Sequence, residues 1–335
     1  MYRAGLLGCG DFTRIQTSGL LRSERVRVTK VHDPNPDAAK LASERLGAGI
    51  VASPEAVFDD PEIDIALIFT PPFTRRALVE KAVAAGKRII TTKPLASTLE
   101  DAKAISEATK DGRCLVIYKR TGDAGIQSLK RLLVSREVGD LVLYRHDWVH
   151  HYPYWAPWAM DPKKNGGPLV DAVIHNLNTV RHLVDREVVG FGYHGYRLTQ
   201  KFAIPDTELL VLDFEGGATA QLFISWAADL AIYDRKANDR ERININYVVT
   251  SERYLLRFET RDTRPVICAT RDGHVRLYPV EAPPLTIYDR YVDDLETGRP
   301  LETSAQEAYR DLELTLYATA HPTSRPVPIA TPAGP

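Results

Sequence analysis

Cysteine is scarce, with three in 335 residues, and Cys9, Cys114 and Cys268 lie far apart. An odd, scattered set gives no disulfide framework, and without a CxxC pair there is no zinc signature. Their scarcity fits a reducing compartment. No apolar run approaches the roughly 20 residues that span a bilayer, and Tyr2–Leu7 lacks the extended apolar core of a signal peptide. Charge is balanced, with 43 basic and 44 acidic residues. No long block of one sign or basic-aromatic groove points to nucleic acid or an anionic membrane. Internal repeats and low-complexity segments are also missing. The expectation is a cytoplasmic globular protein, long enough for two domains, with no nucleic-acid or membrane partner and no bound metal.

What is present is an alternation of apolar strands and amphipathic helices from residue 2 to about 119. Tyr2–Leu7, Val26–Asp33, Ile63–Pro72, Lys87–Pro94 and Arg113–Lys119 read as strands. Thr13–Arg22, Ala38–Leu46, Arg75–Ala85 and Leu99–Thr109 read as helices. Such alternation predicts a right-handed, doubly wound parallel sheet, and the unbroken apolar run of IALIF suits a strand covered on both faces.

After residue 120 the pattern changes. Ile126–Ser135 reads as a helix, LVLYRHDWVHH as a strand, Tyr152–Gly167 as a long loop and Leu169–Val184 as a helix. From about 186 to 292 the signals are mostly strands, with Glu215–Ala218 (EGGA) a turn between two of them. The fold class is therefore α/β. A dinucleotide-binding Rossmann domain is expected over 1–120. An α+β domain with a large, mostly antiparallel open sheet is expected over 121–335, its final helix at 304–320 placed to pack back on the first domain.

The first strand runs into Gly8-Cys9-Gly10-Asp11-Phe12-Thr13. Glycine permits the tight strand-to-helix turn and lets the backbone approach a pyrophosphate, which the following helix N-terminus attracts. Thr13 replaces the third glycine of GxGxxG. Asp33 closes the second strand 23 residues beyond Gly10, where a carboxylate accepts from adenosine ribose hydroxyls and disfavours the extra phosphate of NADP. NAD is favoured over NADP on that ground. A glycine-rich turn without a ligand would share the GxG alone.

Four ordered segments carry a family resemblance. They are the glycine turn; Thr70-Pro71-Pro72, with Arg75 where a TPxxxH motif has histidine; Thr92-Lys93-Pro94-Leu95, similar to EKPL; and Trp158-Ala159-Met160-Asp161-Pro162 followed by Gly166-Gly167-Pro168-Leu169-Val170-Asp171-Ala172-Val173-Ile174-His175. Together they resemble the Gfo/Idh/MocA oxidoreductases along essentially the whole chain. The resemblance implies that Gly8, Cys9, Gly10, Asp11, Phe12, Asp33, Thr70, Pro71, Lys93 and Pro94 line the cofactor. It implies that Lys93, Asp171 and His175 carry the chemistry, and that Tyr118, Arg120 and Trp158 join Asp171 and His175 around substrate. It also makes Lys93–Pro94 a candidate cis bond. Asp171 and His175, four apart on a predicted helix, share a face.

Besides Arg75, four residues depart from the family pattern: Thr92 for glutamate, Pro168 and Val173 for glycines, and Asn178 for aspartate. The expected activity is hydride transfer between NAD(P) and a secondary alcohol or ketone of a sugar, inositol or aminocyclitol. Transient oxidation followed by elimination, hydrolysis or epimerisation would use the same residues, and a cofactor-binding protein without turnover would keep the same fold. The histidines and aromatics of His146–Trp155 lack metal-ligand spacing and read as packing or a sugar-stacking wall. An open C-terminal sheet would leave an apolar face for a homodimer or homotetramer.

Overall fold

The computed structural model describes residues 1–118, 120–149, 161–199, 203–228, 244–301 and 303–323. A first sheet has six parallel strands: β1 (Tyr2–Leu7), β2 (Val26–His32), β3 (Gly49–Ile50), β4 (Ile65–Ile68), β5 (Arg88–Thr92) and β6 (Cys114–Ile117). Their spatial order is β3-β2-β1-β4-β5-β6. The order reverses between β1 and β4, which makes the carboxyl ends of those two strands the place where such a sheet opens a crevice.

Both faces of this sheet are covered, which is why β4 and β6 are apolar and buried at every position. Helices α1 (Asp11–Arg22) and α2 (Pro36–Leu46) pack on one face, α3 (Glu55–Phe58), α4 (Arg75–Ala84) and α5 (Leu99–Ala108) on the other. Asn35 caps α2 by accepting from the Asp37 and Ala38 amides, and Thr98 caps α5 by accepting from Asp101.

The second sheet has eight strands. They are β7 (Leu141–Val149), β8 (Val188–Tyr196), β9 (Thr207–Phe214), β10 (Thr219–Ser225), β11 (Asn244–Ser251), β12 (Leu255–Arg261), β13 (Arg264–Arg271) and β14 (His274–Pro279). The order is β14-β13-β12-β11-β7-β10-β9-β8. All neighbours are antiparallel except β7 and β10. The expected EGGA turn joins β9 to β10 as a hairpin. Helix α6 (Ala124–Val134), the short α7 (Pro162–Asn165) and α8 (Ile174–Val184) follow the first sheet in the chain. Leu129, Leu133, Leu177 and Val180 of α6 and α8 join Leu210, Leu212, Leu222 and Ile224 of the sheet in one apolar cluster. Each such fully buried aliphatic side chain contributes roughly 1.5–3 kcal/mol.

Two features differ from the sequence reading. Strand pairing ends at Pro279, and the chain then forms α9 (Ile287–Thr297), a helix not anticipated within the strand-rich stretch. Its signal was a capping pair: Thr286 accepts from the Asp289 amide, and its hydroxyl donates to the Asp289 carboxylate. Tyr288, Tyr291 and Val292 of α9 pack with Leu20, Ile90 and Ile117 on the α1 face of the first sheet. The final helix, α10 (Ala305–Ala320), places Ala305, Ala308 and Leu312 with Ile105 and Val116 on the opposite face. The segment 121–335 thus contributes a helix to each face of the first sheet. The second difference lies at Leu169–Val173, where the expected α-helix begins with a π turn: the Ile174 amide donates to Leu169, five residues back.

Candidate active site

At the end of β1 the backbone turns sharply through Gly8, at φ +92°. A Cβ there would stand 2.8 Å from the carbonyl carbon and oxygen of Phe69. The constraint arises because β1 and β4 are neighbours and their exits must pass each other. Gly10 is different. Its φ is −77°, and a Cβ would meet nothing within 4 Å. It caps α1 without a side-chain hydrogen bond, so the start of a 12-residue helix faces an open cradle suited to a pyrophosphate.

Thr13, in place of the motif's third glycine, is buried and donates from Oγ1 to Gly8 O at 2.6 Å. It ties the helix to the turn rather than obstructing it. Phe12 packs edge to face on Phe69 at 4.9 Å, while Asp11 is exposed at the helix start.

Asp33 follows β2 and accepts from the Cys9 amide at 2.7 Å and the Asn35 amide at 2.8 Å. Each carboxylate oxygen thereby keeps a lone pair for a further donor. The Asp33 charge and, above all, burial push the Cys9 thiol up to about 12, so Cys9 serves this loop through packing and its main chain. Thr70 and Pro71 continue from β4 beside this turn, and the Thr74 hydroxyl donates to Thr70 Oγ1 at 2.8 Å. Together these groups form a cradle that fits a dinucleotide.

Lys93 leaves the carboxyl end of β5, and the Lys93–Pro94 bond is cis, as the resemblance implied. The ammonium donates to the main-chain oxygen of Asp171 and lies 3.3 Å from its Oδ1. The two side chains are only 14% and 12% exposed. Asp171 sits in the π turn, and His175 follows one residue into α8. The structure thus joins Lys93 to Asp171 from the two halves of the sequence, with His175 four residues further along the same helical segment.

The start of the π turn is held from the second sheet. Glu208 of β9, 2% exposed, accepts from the Leu169 amide and from the Tyr193 hydroxyl, both at 2.7 Å. Burial outweighs these two donors and raises its carboxyl pKa to about 7. Glu208 is absent from the sequence-derived site. The signal for it was a carboxylate on the inward face of an alternating strand, alongside Leu210, Leu212 and Phe214.

Tyr118, expected to face substrate, is 2% exposed, and its ring meets His175 edge to face at 5.9 Å. It forms a wall behind the imidazole rather than an open contact surface, because it immediately follows a strand covered on both faces. Arg120 lies over the rings of Trp148 and Tyr247, at 4.9 and 5.4 Å, which places it against the inner face of the second sheet. His146, fully buried there, packs on Tyr247 with ring centroids 4.6 Å apart. Desolvation, with Arg120 adding to it, holds this imidazole neutral. Trp158 lies outside the described residues, as does most of the Tyr152–Asn165 loop.

Asn178 has a local reason. Its amide donates to Asp311 Oδ2 at 2.8 Å, and its oxygen accepts from Thr121 at 2.5 Å. Asp311, fully buried, also pairs with Arg181 at 2.6 Å. An aspartate at 178 would oppose a second buried carboxylate; asparagine supplies both a donor and an acceptor. Among the described residues there is no cluster of metal-ligating side chains and no helix long and apolar enough to cross a membrane.

Comparison with known proteins agrees with this fold. Residues 2–119 match the oxidoreductase family model with an NAD-binding Rossmann fold, and residues 126–244 match the GFO/IDH/MocA C-terminal domain. A scyllo-inositol 2-dehydrogenase (NAD(+)) of Bacillus subtilis is 29% identical over 66% of this chain and 66% of its own, just short of two thirds of that relative. An inositol 2-dehydrogenase of Pseudomonas syringae is 25% identical over 92% of this chain and 90% of its own. The aldose-aldose oxidoreductase of Caulobacter crescentus, solved with glycerol, superposes with a TM-score of 0.78 at 22% identity, covering 95% and 97% of the two chains, and shares the fold. With both halves matched in order, the chain belongs to the Gfo/Idh/MocA family of oxidoreductases.

Proposed function

We propose that this protein is an NAD-dependent dehydrogenase acting on a secondary alcohol of a polyhydroxylated ring. The observation that carries the reading is the junction of Lys93 with Asp171, one helical turn before His175, at the carboxyl edge of a dinucleotide-binding sheet. The inositol dehydrogenases among its relatives support the polyol class.

The nicotinamide ring supplies the hydride acceptor when bound. The remaining work falls to this chain. Lys93 presents N–H donors to the substrate oxygen, and Asp171 fixes the direction of that ammonium while its carboxylate orients a neighbouring hydroxyl. The His175 imidazole takes the hydroxyl proton as the carbonyl forms, with Tyr118 packed behind it. Gly8, Gly10, Thr70 and Pro71 shape the pyrophosphate side, and Lys93 with Pro94 borders the nicotinamide side. Asp33 accepts from the adenosine ribose, and its charge disfavours the phosphate that distinguishes NADP. Arg120 on its aromatic bed lines the substrate side.

The same reading takes the protein as cytoplasmic, in keeping with three free, buried thiols. It takes the protein as a homodimer or homotetramer through the second sheet, in keeping with exposed Val142, Val189, Val275 and Leu277 on β7, β8 and β14.

The test is titration with NAD, NADH, NADP and NADPH, then nicotinamide absorbance against sugars, inositols and aminocyclitols. NAD should bind in preference to NADP, and Lys93→Ala should lower turnover by roughly 10²–10⁴-fold while cofactor affinity changes little. Full activity in that variant would remove Lys93 from the chemistry. Substrate consumed without net NADH would redirect the reading to transient oxidation.

A further inference from the structure

Arg75 opens α4, where the family motif has histidine, and is 3% exposed. A buried guanidinium is ordinarily matched by a carboxylate. Here the neighbouring titratable groups are the Cys114 thiol and the Tyr118 phenol, and the charge is met by main-chain oxygens. Nε and Nη2 both donate to Thr70 O, at 3.0 and 2.8 Å. Nη1 donates to Thr92 O and to Pro94 O. One planar group therefore joins the loop leaving β4 to the peptide groups on either side of Lys93.

We propose that Arg75 is a positioning residue for Lys93, gripping the main chain before and after the lysine so that its ammonium reaches Asp171 along a single path. The inference rests on the dehydrogenase reading of this site and deepens it. The reasoning is geometric. A lysine stem has four rotatable bonds, so the place of Nζ depends on the direction of Cα–Cβ, which the flanking peptide groups set. Three carbonyl oxygens from two loops converge on the guanidinium, a match for a rigid fork of five N–H donors that an ammonium cannot reproduce. Because Thr70 is held by the same group, the cofactor side and the lysine keep a fixed separation.

The test compares the wild-type chain with Arg75→Lys and Arg75→His. Lysine methyl groups are labelled with carbon-13 by reductive methylation, and the Lys93 signal is identified by its loss in Lys93→Arg. In the wild type that signal should stand apart from those of the exposed lysines; in both variants it should move into their envelope. With any polyol that the wild type oxidises, kcat should fall by on the order of 10²-fold, as for a misplacement of about 1 Å, with KM nearly unchanged. A lowered Tm with the Lys93 signal and kcat both retained would make Arg75 merely structural and overturn the proposal. So would a wild-type Lys93 signal already within the exposed envelope, or failure of both variants to fold. If the wild type oxidises no polyol, the dehydrogenase reading fails, while the Lys93 signal still decides the role of Arg75.

Discussion

The two edges of the candidate active site are built by different means. The cofactor edge is assembled from neighbours in sequence: Gly8, Cys9, Gly10 and Thr13 lie within six residues, and the long-range tie is Asp33 accepting from Cys9. The catalytic edge is assembled from afar. Lys93 meets Asp171 across 78 positions, Glu208 meets Leu169 across 39, and Asn178 meets Asp311 across 133. A dinucleotide presents the same phosphates to every protein that binds it, so a short backbone turn suffices. On the proposed reading a substrate alcohol needs a donor and a base placed to fractions of an ångström, and the contacts that would set that placement join segments far apart in the chain.

If this contrast is right, the cofactor edge should break through backbone sterics. Gly8→Ala combines a left-handed φ with a Cβ 2.8 Å from the Phe69 carbonyl. Strain and overpacking each cost about 1–3 kcal/mol, so the unfolding free energy from urea denaturation should fall by about 2–6 kcal/mol, with a lowered midpoint. An unchanged midpoint would mean that β1 and β4 can part more easily than their parallel pairing suggests.

The catalytic edge should instead respond to protons. Glu208 has its folded pKa raised from 4.5 to about 7. A raised carboxyl pKa means that the folded state favours the protonated form. The stability present below pH 4.5 should therefore be progressively lost as pH rises to 7, and level off above it. At 1.36 kcal/mol per pKa unit the full effect is about 3 kcal/mol. Denaturation at several pH values should show this slope, and Glu208→Gln should flatten it. An identical slope in the variant would assign the dependence to other groups.

The same contrast explains what the sequence could disclose. The glycine turn, the strand-closing Asp33 and the parallel strands are local patterns, and each appears where expected. Lys93, Asp171 and His175 were legible only through ordered motifs, because nothing local to Lys93 reveals that Asp171 will meet it. Arg75 was visible as a departure from the family histidine, yet its role depends on carbonyl oxygens 17 and 19 residues away. Asn178 was visible as a departure too, and only Asp311 on α10 gives the reason. The π turn leaves no mark in the sequence, because its residues, LVDAV, carry no periodicity that separates it from an α-helix. α9 follows directly on a strand-rich stretch, and its one local signal is the Thr286/Asp289 cap.

The smallest expected effect on stability makes the sharpest test of the cofactor edge. Gly10 has an ordinary φ, and its Cβ would enter open space, so Gly10→Ala should change stability by no more than about 1 kcal/mol, the cost of a poorer helix cap. The open space is where the pyrophosphate is proposed to lie, and a methyl group there takes the room that close backbone approach needs. Titration of the variant with NADH should therefore show at least a tenfold weaker Kd, or about 1.4 kcal/mol, against a nearly unchanged melting curve. Equal affinity would move the pyrophosphate away from Gly10, whereas a collapse of stability would show that this glycine, like Gly8, serves the fold first.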